Sequence, residues 1–248
     1  MCCFSGPVAS ISATRIFARI EGRRQFLVYQ MTFSAQTDLA MVLPIPVALG
    51  LAEDAVDFIN LEHYASFFAD LERLYPKPRG RGASRARLGA NLVVHDVGIY
   101  EASFVPTIAD FSRLDPRFRL PDTIWDDLPA YAQYGFAVFK LKGGEVQKVH
   151  PLAFSFPTRT PDALFFPTLH VHDGQVHSRA RFDHILYCQT TKRVPESSVF
   201  SHRSAWVRSS SNAGRSFSID QAQGIVDGDQ PCLKKVLVGQ FANQDQRL

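Results

Sequence analysis

The chain has 248 residues, 46% hydrophobic and 21% charged, with 27 basic against 24 acidic side chains and a formal net charge of +3. That length buries enough surface for a core without disulfide or metal staples, and twenty Phe exclude wholesale disorder. No stretch reaches the ~20 apolar residues that a membrane-spanning helix needs, and so small a net charge does not argue for nucleic acid.

The opening Met1-Cys2-Cys3-Phe4-Ser5-Gly6-Pro7 has neither the positive nor the apolar region of a secretory leader, so a cytoplasmic location is expected. Thr14 to Ile20 and Gln25 to Phe33 are rich in β-branched and aromatic residues and predict a hairpin turning over Glu21 to Arg24. A third strand, Leu39 to Leu43, is expected to stop at Pro44-Ile45-Pro46, since proline donates nothing to a sheet ladder. Leu61, Tyr64, Ala65, Phe68, Leu71 and Tyr75 recur at helical steps, with Glu53 and Asp54 at the start and Pro76 at the end.

Residues 77–87 carry five basic side chains and nothing apolar larger than alanine, proline aside, which predicts a solvated surface loop. Without interleaved aromatics to stack bases, nucleic acid is not expected there. Leu92 to Phe104 reads as a long strand with a bulge at Gly98. Short helices are expected over Ile108 to Leu114 and Asp122 to Gln133. Strands follow over Tyr134 to Lys142, Val149 to Phe156, Leu164 to His172 and Gln175 to Gln189, and Ser209 to Gly214 reads as a flexible loop.

Spacings this short leave no room for repeated crossover helices. The expected fold class is therefore α+β, mostly antiparallel β-sheet with a few packed helices and a sandwich-like arrangement. Residues 1–190 form the expected main domain, with a less regular Ser/Gln-rich segment, 191–248, against it. Four Cys without a Cys-x-x-Cys make neither a disulfide framework nor a zinc knuckle.

The opening Cys-Cys-Phe-Ser-Gly-Pro-Val, Thr14-Arg15-Ile16-Phe17-Ala18 and Ala40-Met41-Val42-Leu43-Pro44-Ile45-Pro46 resemble an uncharacterised bacterial family. Its members pair a Cys-rich start with a Val-Leu-Pro-x-Pro strand end. Val97-Gly98-Ile99-Tyr100 and the Tyr134 to Lys142 run fall in the order of its later landmarks, so the resemblance covers about residues 2 to 190. It implies a fold and offers no catalytic role. Members are typically exported, whereas this start carries no leader.

Two constellations carry chemistry. Asp173-Gly174 between alternating runs predicts a two-residue hairpin turn. Leu169, Val171 and Val176 then share one face, while His170, His172 and His177 share the other. Opposed Cβ atoms lie about 5 Å apart, so three imidazoles and a water suit zinc or another divalent metal. Arg179 nearby opposes a cation, and His150 and His184 read as structural or surface residues.

The second constellation is Cys2. Removal of Met1 would leave a thiol nucleophile beside its own α-amine, a base titrating near pH ~8. This start is similar to that of N-terminal-nucleophile amidohydrolases, many of which begin Met-Cys-small, and the resemblance implies attack on C–N bonds. Residue 3 is a second Cys, and the supporting Arg and Asn motifs of that family are missing. Glu53/Asp54 and Asp126/Asp127 complement helix dipoles rather than serve as acid and base.

Three functions stay open: a domain binding a divalent metal through the histidines, an N-terminal Cys amidohydrolase, and a non-catalytic scaffold or interaction module. In the last, runs such as Leu152 to Phe156 only fill a core. Whether the chain is an enzyme is open, as is its partner, a small molecule or none.

Overall fold

Turn chemistry and alternation produce the first long hairpin where the sequence places it. β2 (Ser10–Glu21) and β3 (Arg24–Ala35) pair antiparallel, and Gly22 supplies the positive φ of +59° that the tight connection requires. They are seen in a computed structural model that describes residues 3–48, 50–75, 95–97, 101–194 and 205–248.

β3 continues outward through β10 (Leu152–Pro157) to β5 (Asp57–Asn60), and also pairs with β9 (Gly144–Val149), which in turn pairs with β6 (His95–Val97). On its other side β2 runs parallel to β12 (Arg179–Gln189), followed by β14 (Pro231–Ala242) and β13 (Val207–Asn212). These nine strands form one sheet. A second sheet has the order β1 (Cys3–Phe4), β4 (Leu39–Ile45), β8 (Gly135–Leu141), β7 (Ala102–Val105). β11 (Phe165–Phe166) and β15 (Gln246–Arg247) form a small antiparallel pair.

One buried cluster draws on both large sheets: Tyr29, Phe154 and Leu186 from the first meet Met41, Leu43 and Phe139 from the second. Short helical turns cover the far face of the four-stranded sheet, where Phe111, Ile124, Trp125 and Tyr131 bury Val42, Phe136 and Val138. The far face of the nine-stranded sheet is covered by α1 (Phe67–Arg73) and by residues around 213–226. With both faces covered, β4 reads as the unbroken apolar run Leu-Ala-Met-Val-Leu-Pro-Ile, every residue buried.

Several expectations need correction. β4 runs through Pro44, because β1 reaches only Met41 and Val42, leaving β8 as the partner strand at Pro44. The expected helix from Glu53 is confined to Phe67–Arg73, after a 3-10 turn at Glu62–Tyr64, because Asp57–Asn60 instead adds to β10. The expected strand over Leu92 to Phe104 is two strands in different sheets, β6 against β9 and β7 against β8. Gly98 and the basic segment 77–87 lie outside the described residues. Ser209 to Asn212, expected in a loop, belong to β13, and the segment after 190 supplies β14, a twelve-residue strand of the main sheet. Among the described residues, no helix is long and apolar enough to cross a membrane.

Candidate functional site

The chain start is held between two segments. β1 pairs with β4 through Cys3–Val42 and Phe4–Met41 on one side. On the other, Cys3 forms a parallel bridge with Val171, and the Phe4 N–H donates to the Val171 carbonyl at 3.1 Å. The stretch that carries the histidines therefore lies directly beside the first described residues.

That stretch is not the expected hairpin. Gly174 has a φ of +75° and the Gln175 N–H donates to Asp173 Oδ1 at 3.1 Å, so the Asp-Gly turn forms. The flanking ladder does not, because side chains near the C-terminal end take its backbone groups. Asn243 Nδ2 donates to the carbonyls of both His170 and His177 at 2.9 Å, and Asn243 Oδ1 accepts from the His170 N–H at 2.7 Å. Asp245 Oδ1 accepts from the N–H groups of Thr168 and Leu169 at 2.7 and 2.9 Å, and Asp245 Oδ2 accepts from the Tyr131 hydroxyl. Burial pushes the Asp245 carboxyl above the usual carboxylate range.

This arrangement regroups the histidines. His170 and His172 come together, their ring centroids 5.1 Å apart and planes within 22°. His177 does not join them; its exposed ring sets Nε2 2.8 Å from Asp173 Oδ2. The third member of the group is His184 on β12, stacked on His170 at 5.1 Å and 20° and fully buried. Phe182 lies 4.4 Å from His170, and Phe4 lies 5.8 Å from His172. The signal for His184 was in the sequence: Phe182, His184, Leu186 and Cys188 alternate along one strand and all face inward.

Stacked imidazoles hold their lone pairs side by side, in nearly parallel planes, rather than aimed at one point. Among the described residues, no group of three or more His, Cys, Asp or Glu is placed to hold a metal ion. Burial disfavours the charged ring and depresses the basicity of all three: His170 to about 2, His172 to about 4, and His184 well below the usual range. The Nε2 atoms of His170 and His172 are buried without a hydrogen-bond partner. The described thiols, Cys3, Cys188 and Cys232, are buried, and burial pushes Cys232 up to about 12. Cys2 lies outside the described residues.

A second feature lies where the edges of the two large sheets meet. A cleft of about 180 Å³ is lined by Phe58 of β5, Leu152 of β10, Ala102 of β7 and Phe139 of β8, with Asn60, Glu62 and His150 supplying polar groups. Phe58 is 37% exposed although it stands edge-on to Phe139, with centroids 5.6 Å apart.

No protein-family model matches the chain, and no curated protein matches it. Among solved structures, the chain is similar to the crystal structure of baculovirus P35, with a TM-score of 0.52 and 12% identity, over 100% of this chain and 98% of that one. At that identity the likeness speaks to fold, and it extends over essentially both chains.

Proposed function

We propose that the start of the chain is the functional centre, with Cys2 as a thiol nucleophile acting on acyl groups carried by C–N bonds. The observation that carries this reading is the parallel bridge between Cys3 and Val171, which sets the first described residues beside a segment where the Nε2 atoms of His170 and His172 are buried without a hydrogen-bond partner. Burial sets the described thiols aside in favour of Cys2. Cys188 and Cys232 are sealed in the main sheet, and burial raises both, so neither supplies thiolate near neutral pH. Loss of Met1 would give Cys2 a free α-amine, which titrates near pH ~8 and serves an acyl-transfer cycle. The test is intact mass after incubation with a set of activated acyl amides. The expected result is a chain lacking Met1 that gains one acyl group, absent in Cys2→Ala. Retention of Met1, or equal labelling of Cys2→Ala, overturns the reading.

A second reading, a non-catalytic interaction module, is favoured by the cleft between β5 and β7. Its volume of about 180 Å³ matches one large apolar side chain, and β5 lies at the end of its strand order, where an extended peptide adds by main-chain hydrogen bonds. Selection of random peptides on the intact chain tests it. Enriched sequences should centre on one aromatic residue and lose binding to Ala102→Trp, which fills the cleft. Peptides that bind both chains equally overturn it.

A further inference from the structure

We propose that Arg159, Arg247 and the hydroxyl of Tyr134 form a binding site for the phosphoryl group of a phosphate monoester. The site is independent of both functional readings above. Its centre is Tyr134, the residue before β8. That side chain is 4% exposed and meets Tyr131 and Phe165 edge-on, with ring centroids 4.9 and 5.9 Å away. A tyrosine packed on two sides holds its hydroxyl in one place.

Two guanidinium groups converge on this one side chain. Arg159 lies just after β10, where its backbone N–H donates to the Pro46 carbonyl at 2.9 Å. Its Cζ stands 4.5 Å from the Tyr134 ring centroid, and its Nη1 donates to the Gln133 carbonyl at 2.7 Å. Arg247 comes from β15, in register with Phe165 of β11. Its Cζ lies 5.5 Å from the Phe165 ring centroid, and its Nη2 donates to the Tyr134 hydroxyl at 2.5 Å. Neither arginine forms an ion pair among the described residues. Asp245, two residues before Arg247, is already spent on the N–H groups of Thr168 and Leu169 and on the Tyr131 hydroxyl. Two like charges held against one tyrosine repel, and a bound anion relieves that repulsion.

The donors that remain select the anion. Each guanidinium keeps most of its N–H groups unspent, in the planar fork that matches the oxygens of a phosphate. The Tyr134 hydroxyl accepts from Arg247, which leaves its own proton to donate. Two forks and a hydroxyl suit a group with three terminal oxygens and about two negative charges, which a phosphate monoester carries at neutral pH. A carboxylate brings two oxygens and a single charge, and one arginine fork satisfies it.

The test is a ³¹P resonance titration of methyl phosphate with the full chain, at an ionic strength held constant with chloride. The natural chain should move the signal along a saturable one-to-one curve. Arg247→Gln, at an exposed position that leaves the fold intact, should weaken binding at least about tenfold, and so should Arg159→Gln. Tyr134→Phe keeps the ring contacts and should cost about threefold to tenfold. Binding should tighten as the ester takes its second charge near pH ~6. Sulfate should compete, and acetate should not. A phosphoserine peptide with alanine flanks then distinguishes the source of the group. Affinity equal to or below that of methyl phosphate assigns a free small ester, and affinity at least about tenfold higher assigns a phosphorylated chain. A linear shift without saturation, unchanged affinity in either folded arginine variant, or acetate competing as well as sulfate overturns the site.

Discussion

Two regions of this molecule are held together by different means. The nine-stranded sheet around β2, β3 and β12 is a ladder of main-chain bonds between long strands, with apolar side chains on both faces. The segment from Thr168 to His177 has almost no ladder; besides the bridge from Val171 to Cys3 and the Thr168 hydroxyl's bonds to the backbone at Gln244 and Gln246, its backbone groups are held by two side chains, Asn243 and Asp245. The first region distributes its stability over many contacts. The second concentrates it in a few buried polar groups, where the loss of one acceptor orphans several donors. His170 and His172 sit in the second, on an irregular segment of the kind that a rigid scaffold positions.

The largest expected effect breaks the ladder region from inside. Phe154 is fully buried between the sheets, in ring contact with Phe58, Phe139 and Phe156. Phe154→Ala should lower stability by about 3–5 kcal/mol, because the vacated volume is walled by ladders that cannot collapse into it. Urea unfolding followed by far-UV circular dichroism and by tryptophan fluorescence should shift together. A loss below about 1 kcal/mol would mean that the two sheets are not packed as tightly as their shared cluster implies.

Asp245→Ala attacks the other region. It removes the acceptor for the N–H groups of Thr168 and Leu169 and for the Tyr131 hydroxyl. Leaving buried donors unpaired should cost about 2–4 kcal/mol. The distinguishing readout is hydrogen exchange. Amides of 168–171 should exchange much faster while those of β2 and β3 stay protected. Uniform acceleration across both regions would make them one cooperative unit and dissolve the contrast.

The same contrast explains what the sequence disclosed. Regular patterns were legible: the β2–β3 hairpin from Gly22 and its flanking alternation, β8, β12, and the short helical turns near Ile108 and Thr123. Asp173-Gly174 made its turn, yet the ladder expected beside it was displaced by Asn243, some 70 residues away, and no local pattern reports so distant a side chain. The helix expected from Glu53 lost its first half for a similar reason. Phe58 and Ile59 fit a strand as well as a helix face, and the presence of β10 decided between them. Of the three histidines grouped on the expected hairpin, His170 and His172 are neighbours in the structure and His177 is not. The third partner came from β12, where the inward alternation of Phe182, His184 and Leu186 pointed to it.

Acid should separate the regions further. In the folded chain His172 stays neutral down to about pH 4 and His170 down to about pH 2, because burial disfavours their charged forms. Unfolded histidine takes up its proton near pH ~6.5. Between these values the unfolded state binds more protons than the folded one, so stability is lost as pH falls below about 6.5. Each such histidine contributes at most about 1.4 kcal/mol per pH unit. His172→Phe keeps the ring contact with Phe4 and should reduce the slope between pH 6.5 and 5 by about that amount. An unchanged slope would mean that His172 is already protonated or exposed in the folded chain.

The smallest expected effect is the sharpest test of how firmly the second region is pinned. His177 is exposed, and its contact with Asp173 is a surface pair of little net worth. His177→Ala should leave the unfolding midpoint where it was. Zinc makes this a test of geometry. A bound ion stabilises by about 2.7 kcal/mol at a hundredfold excess over its dissociation constant, and so raises the melting temperature. With His170 and His172 stacked and His177 turned to Asp173, the natural chain and the variant should melt alike with and without zinc. A zinc-dependent rise that vanishes in His177→Ala would require the 170–177 segment to leave Asn243 and gather its imidazoles around the ion. The two side chains near the C-terminal end would then be a latch that metal releases, not a fixed anchor.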